Sequence, residues 1–180
     1  MKKGFTLIEL LVVIAILAVL MSVVVVTINP AEMLKKTRDT KRISDLDALR
    51  TAINLYITDQ KPLVDGCRVS QVGAPTFTSC SSIASSTAQL PSNNWLGLDF
   101  STISSGSPLS TIPLDPKNTT STSATTSYVY YFKSSSTSTT FTLLCNMESS
   151  YYSNLGTGDV ESKDGGNYPD LYEVGSAMLF

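Results

Sequence analysis

Phe5-Thr6-Leu7-Ile8-Glu9-Leu10-Leu11-Val12-Val13-Ile14-Ala15-Ile16-Leu17-Ala18-Val19-Leu20-Met21-Ser22-Val23-Val24-Val25-Val26-Thr27-Ile28 is a run of 24 residues with one charged side chain, Glu9. As a helix rising 1.5 Å per residue it reaches roughly 36 Å, enough to cross a hydrocarbon core of about 30 Å. Leu, Ile and Val fall on every face, so no solvent-facing stripe is left, and the helix needs lipid or other apolar helices around it. The β-branched residues at its end lower helix propensity only slightly, and in lipid the backbone has no other acceptor than its own carbonyls.

Lys2 and Lys3 precede the run, as in a secretory signal, but the run is longer than a signal core and no small-x-small cleavage site follows it. Glu9 is the anomaly. A carboxylate within such a span costs a few kcal/mol, and it calls for a cationic partner or for a position near the headgroups.

Lys2-Lys3-Gly4-Phe5-Thr6-Leu7-Ile8-Glu9-Leu10, running into an unbroken apolar helix, resembles the class III signal of type IV pilins and type II secretion pseudopilins. The resemblance implies cleavage between Gly4 and Phe5 by a prepilin peptidase, methylation of the new Phe5 amine and retention of the helix. It also implies that Glu9, the fifth mature residue, pairs with the terminal amine of a neighbouring subunit during assembly. The family's fold is α+β, with a long N-terminal helix packed on a small antiparallel sheet. Two features depart from the pattern. The usual helix-bending proline is replaced by Val26, and the first proline is Pro30. Lys35, Lys36, Arg38, Lys41, Arg42 and Arg50 also outnumber the two lysines of the leader, so the positive-inside rule alone places the C-terminal part in the cytoplasm, opposite to what the resemblance implies.

The reading therefore divides the chain into a leader at 1–4, an apolar membrane and filament-core helix at 5–28, an amphipathic helix at 29–60 and a head at 61–180. Asn29-Pro30-Ala31-Glu32 reads as a capping unit, with Asn29 as N-cap and Pro30 first in the next helix. Beyond it Ile43, Leu46, Leu49, Ile53 and Tyr56 form one apolar stripe, while Lys41, Arg42, Asp45 and Asp47 lie mainly off it. Interleaving of Arg38, Lys41 and Arg42 with Asp39, Asp45 and Asp47, with no aromatic residues among them, indicates a solvated or inter-subunit salt-bridged face rather than a nucleic-acid platform.

In the head, Tyr128–Phe132 and Phe141–Cys145 read as a hairpin with a long polar loop at 134–140. The Ser/Thr tracts at 119–127 and 134–140 read as surface loops, with O-glycosylation one fate of such tracts. Cys67 and Cys80 are the favoured disulfide pair, closing a short loop in an oxidising compartment, and Cys145 reads as a buried small hydrophobe, other pairings remaining open. Asp159, Glu161, Asp164 and Asp170 lie in a Gly-bent acidic tail whose oxygens suit Ca²⁺, although the spacing is not that of an EF-hand. Related major pseudopilins hold calcium in a C-terminal loop, which the resemblance carries over as an expectation.

There is no histidine, so His-based zinc sites and Ser-His-Asp triads are excluded, and a pI of about 5.0 argues against a dedicated nucleic-acid binder. The expected function is a non-enzymatic structural subunit of a type IV pilus-like filament. It would be a homopolymer served by the prepilin peptidase and an assembly platform, held in the cytoplasmic membrane before assembly and at the cell surface after it. No cofactor is required. The alternatives are a type II secretion pseudopilin and a non-polymerising single-pass membrane protein with a ligand-binding head. A metal enzyme built on Asp159, Asp164 and Asp170 is a further class.

Overall fold

A computed structural model describes residues 4–77, 80 and 83–177. The leader residues 1–3 lie outside them. The chain divides into two compact units, Met1–Lys35 and Lys36–Phe180.

In the first unit, helix α1 spans Leu7–Ile28. It ends at Asn29, which sits in the left-handed region (φ 45°, ψ 75°), a conformation asparagine tolerates better than β-branched residues. Helix α2, Pro30–Thr58, starts at the next residue. Asn29 also serves this second helix: Glu32 donates its N–H to the Asn29 carbonyl (3.0 Å) and to its Oδ1 (3.4 Å). One residue thus closes one helix and caps the other, and Pro30 occupies a first-turn position where its missing N–H costs nothing.

The second unit is an α+β head. The residues of α2 from Lys36 onward pack on a sheet of five strands: β1 Gly66–Val69, β2 Ile83–Ser85, β5 Tyr131–Ser135, β6 Thr140–Cys145 and β7 Tyr172–Gly175. The strand order is β2-β1-β5-β6-β7. Every pairing is antiparallel except β1 with β2, so the expected antiparallel sheet is in fact mixed at one edge. A separate pair, β3 Gln89–Leu90 and β4 Asn93–Asn94, lies in the loop that follows.

Alternation along the strands gives the sheet two buried faces. On one, Phe132, Phe141, Leu143 and Cys145 meet Leu46, Leu49, Ala52 and Ile53 of α2, together with Trp95 and Phe100. On the other, Val69, Tyr131 and Leu144 are covered by Phe77, Ala124 and Leu171. Burial on both sides explains why β6 reads as a continuous apolar run rather than an alternating one. The β5–β6 hairpin is present, but Ser134, Ser135 and Thr140 belong to the strands, so the connection is shorter than the polar tract suggested. Serine and threonine pair in a ladder as readily as apolar residues do, because the ladder is made by the backbone. Tyr128, expected to begin the strand, instead makes an isolated bridge with Thr119.

Cys67 and Cys80 are joined by a disulfide with Cα atoms 5.9 Å apart, tying β1 to the loop before β2. Cys145 is a free thiol, fully buried in β6, and burial pushes its pKa well up, so it is inert as a nucleophile.

Candidate functional site

The N-terminal unit presents its chemistry at the start of α1. Thr6 is the N-cap of the helix, and it forms a reciprocal capping box with Glu9. The Glu9 N–H donates to Thr6 Oγ1 (3.3 Å), while Glu9 Oε2 accepts both the Thr6 N–H and the Thr6 hydroxyl at 2.8 Å. The carboxylate is therefore folded back over the first turn, beside the residue that follows Phe5. At a helix N-terminus this is also where the macrodipole favours a negative charge. Glu9 is thereby held by its own chain at the N-terminal edge of the apolar segment.

From Leu7 to Val25 every residue is exposed, and this window has a mean hydropathy of 3.1 over 19 residues. Its length as helix is about 28 Å, close to the hydrocarbon thickness of a bilayer. The one hydroxyl in its middle, Ser22, donates to the Val19 carbonyl (2.7 Å) and so presents no free donor to lipid. An apolar surface of this extent has no covering within the unit itself.

Residues 1–25 match the family model of the prokaryotic N-terminal methylation motif. The chain carries a class III prepilin signal. The match spans the signal and most of the apolar helix and does not extend into the head. No curated protein and no solved structure matches the chain. The prepilin signal is the kind carried by type IV pilins and pseudopilins, and it implies processing by a prepilin peptidase and assembly into a pilus-like filament.

The head holds a second constellation, on α2. Arg42 is fully buried and bonds three carboxylates: Asp115 through Nε (2.6 Å) and Nη2 (2.9 Å), Asp39 through Nη1 (2.7 Å) and Glu148 through Nη2 (2.7 Å). Arg38 adds a two-pronged contact with Glu148 at 2.9 and 2.7 Å. Asp39 also receives the N–H groups of Glu148 and Ser149, and Asp115 those of Lys117 and Asn118. The Tyr128 ring lies beside the Arg42 guanidinium and the Lys117 ammonium at 5.2 and 4.1 Å. Arg42 was expected on a solvated or inter-subunit face. The structure corrects this: Asp39 and Arg42 extend the buried stripe of α2, and the charges are neutralised within one head. Charge at those positions disguised the helical spacing that links 39, 42, 46, 49, 53 and 56.

Burial works against the charge of Glu148, but its bonds to Arg38 and Arg42 prevail and bring its pKa down to about 2 from 4.5. A carboxyl depressed in the folded state stabilises above its unfolded pKa and loses that contribution as pH falls toward the folded one. Unfolding monitored by fluorescence of the single tryptophan, buried Trp95, should therefore show a head that weakens as pH drops from about 4.5 to about 2. In Glu148→Gln the same fall should be smaller.

In the acidic tail the carboxylates bond N–H groups of the chain. Asp159 accepts the N–H groups of Leu155 and Ser162, Glu161 those of Met147 and Asn154, and Asp164 those of Gly166 and Glu173. Asp170 accepts from the Asn154 side chain (3.1 Å). Each carboxylate gathers donors from the surrounding chain, some of them 9 to 16 residues away, and among the described residues no group of three or more His, Cys, Asp or Glu stands together as metal ligands. Glu173 joins them, its Oε1 taking the N–H groups of Asn167 and Tyr168 at 2.8 Å. The pattern of acids around glycines was legible; their use as acceptors for the main chain was not.

Proposed function

We propose that this prepilin is a structural subunit of a type IV pilus-like filament at a bacterial cell surface, formed from identical copies after cleavage between Gly4 and Phe5 and methylation of Phe5. The observation that carries the reading is α1, an apolar helix exposed along its whole described length with a carboxylate held at its N-terminal turn. In the membrane, lipid covers that surface. In a filament, the α1 helices of neighbouring copies cover it, exchanging lipid contacts for van der Waals contacts between helices. Glu9 supplies the specificity: once removed from headgroups and water, its charge needs a cation, and the new amine of a neighbouring Phe5 provides it. The head, with hydroxyl-rich loops and a disulfide suited to an oxidising exterior, is the part such a filament displays. No catalytic constellation and no bound ion enter the reading.

Replacement Glu9→Leu tests it. The variant is expected to insert in the membrane and be processed as before, because the span only becomes more apolar. Filaments sheared from cells and counted by electron microscopy should fall to background. Filaments in undiminished number would remove the charge-pairing account, and Met1 to Gly4 intact on recovered protein would remove the processing account.

A further inference from the structure

Arg68, in the middle of β1, contrasts with Arg42 and its three bonded carboxylates. It is half-buried, and its Nε is enclosed with no hydrogen-bond partner. Among the described residues no carboxylate bonds it, and its register neighbours across the sheet are Ala84 on β2 and Phe132 on β5, neither of which brings an acceptor from its side chain. A guanidinium carries five donors and stays charged, so leaving it half out of water without an anion is costly.

The position of the group is fixed from the other side. The guanidinium lies against Gly97, in the turn after β4, so closely that a Cβ there would stand 2.6 Å from Cζ and Nη1. Gly97 has φ +67°, a second reason for glycine at that place. Asn94, at the opening of the same turn, does not supply the missing acceptor. Its Nδ2 donates to the Leu90, Pro91 and Leu98 carbonyls, and its own Oδ1 has no partner. The strand and the glycine turn thus hold a planar, forked donor in a set place and leave it unmatched.

We propose that Arg68 and the Gly97 turn form a receptor for an oxyanion. The guanidinium fork fits a carboxylate or phosphate, which meets it with two parallel hydrogen bonds. Two sources offer that chemistry: a carboxylate on a second copy of this chain, whose formal net charge is −2, or a free inorganic anion. The inference of a receptor stands on the head alone; only the first source rests on the filament reading.

The experiment is modification of the full chain by phenylglyoxal, with adducts located by mass spectrometry, in detergent-solubilised subunits and in filaments. Exposed Arg50 is the internal reference. In solubilised subunits, inorganic phosphate at ten times its dissociation constant should slow modification of Arg68 roughly tenfold, as mass action requires, and leave Arg50 unchanged. Protection of Arg68 in filaments without added phosphate assigns the oxyanion to a neighbouring copy. Protection by phosphate alone assigns a free anion. Arg68 modified at the same rate relative to Arg50 in all three states overturns the proposal. Should no filaments form, the filament reading fails while the phosphate comparison still decides the receptor. In Arg68→Gln, the rise in melting temperature produced by phosphate should disappear, with Trp95 fluorescence reporting that the head remains folded.

Discussion

Arg42→Ala is expected to destabilise the head by about 3 kcal/mol, the lower end for breaking a buried ion pair by removing one partner. The lower end applies because the abandoned carboxylates retain other bonds. Asp39 keeps two main-chain N–H groups, Asp115 keeps two, and Glu148 keeps Arg38. What they lose is the charge that lies among all three. With a domain stability of roughly 5–15 kcal/mol, such a loss removes a large share of the total. Arg42→Lys should recover little, since a single ammonium cannot repeat bonds made through Nε, Nη1 and Nη2 in one plane. Urea unfolding followed by Trp95 fluorescence would show the midpoint falling with an unchanged slope; a midpoint equal to that of the unaltered protein would mean the cluster contributes no net stability.

The second large effect concerns the disulfide. Joining residues 13 apart, Cys67–Cys80 restricts the unfolded chain, and by loop-closure arguments a ring of this size contributes about 3 kcal/mol. Its loss has a local cost too, because both cysteines are buried with Phe77 and Tyr131 on the face of the sheet away from α2. For a domain of this size the replacement of both by serine should lower the melting temperature by about 6–12 °C. Thiol counting provides the companion check: the unfolded oxidised protein should take up alkylating agent only at Cys145, and the reduced one at all three positions. Modification of Cys145 in the folded protein would contradict its burial.

These two predictions mark the boundary of what the sequence made legible. Local patterns were readable: the apolar run, Asn29-Pro30 as a break, and the spacing of Leu46, Leu49, Ile53 and Tyr56. The α+β plan came from the family resemblance together with the strand-like runs of the head. Thr6-x-x-Glu9 is also a local signature, that of a capping box. The Arg42 cluster was not legible, because its partners Asp115 and Glu148 are 73 and 106 residues distant in the chain and nothing local distinguishes them from surface acids. The acidic tail shows the same limit from the other direction. Carboxylates beside glycines suit a cation and suit main-chain N–H groups equally, and only the folded course of the chain decides which they meet.

One of those contacts bears on how heads coexist. Strand β7 is an end strand of the sheet, and the N–H of Glu173, in its middle, is taken by Asp164. An uncovered strand edge is a template on which another chain can add. On the proposed reading, subunits held in one bilayer by α1 would stand side by side before any filament exists, the situation in which edge-to-edge sticking is most dangerous. With a carboxylate plugging the row of donors at that border, a neighbour's strand finds an occupied site and a negative charge. On that reading Asp164 would guard against premature aggregation, leaving association to the apolar helix rather than to the sheet.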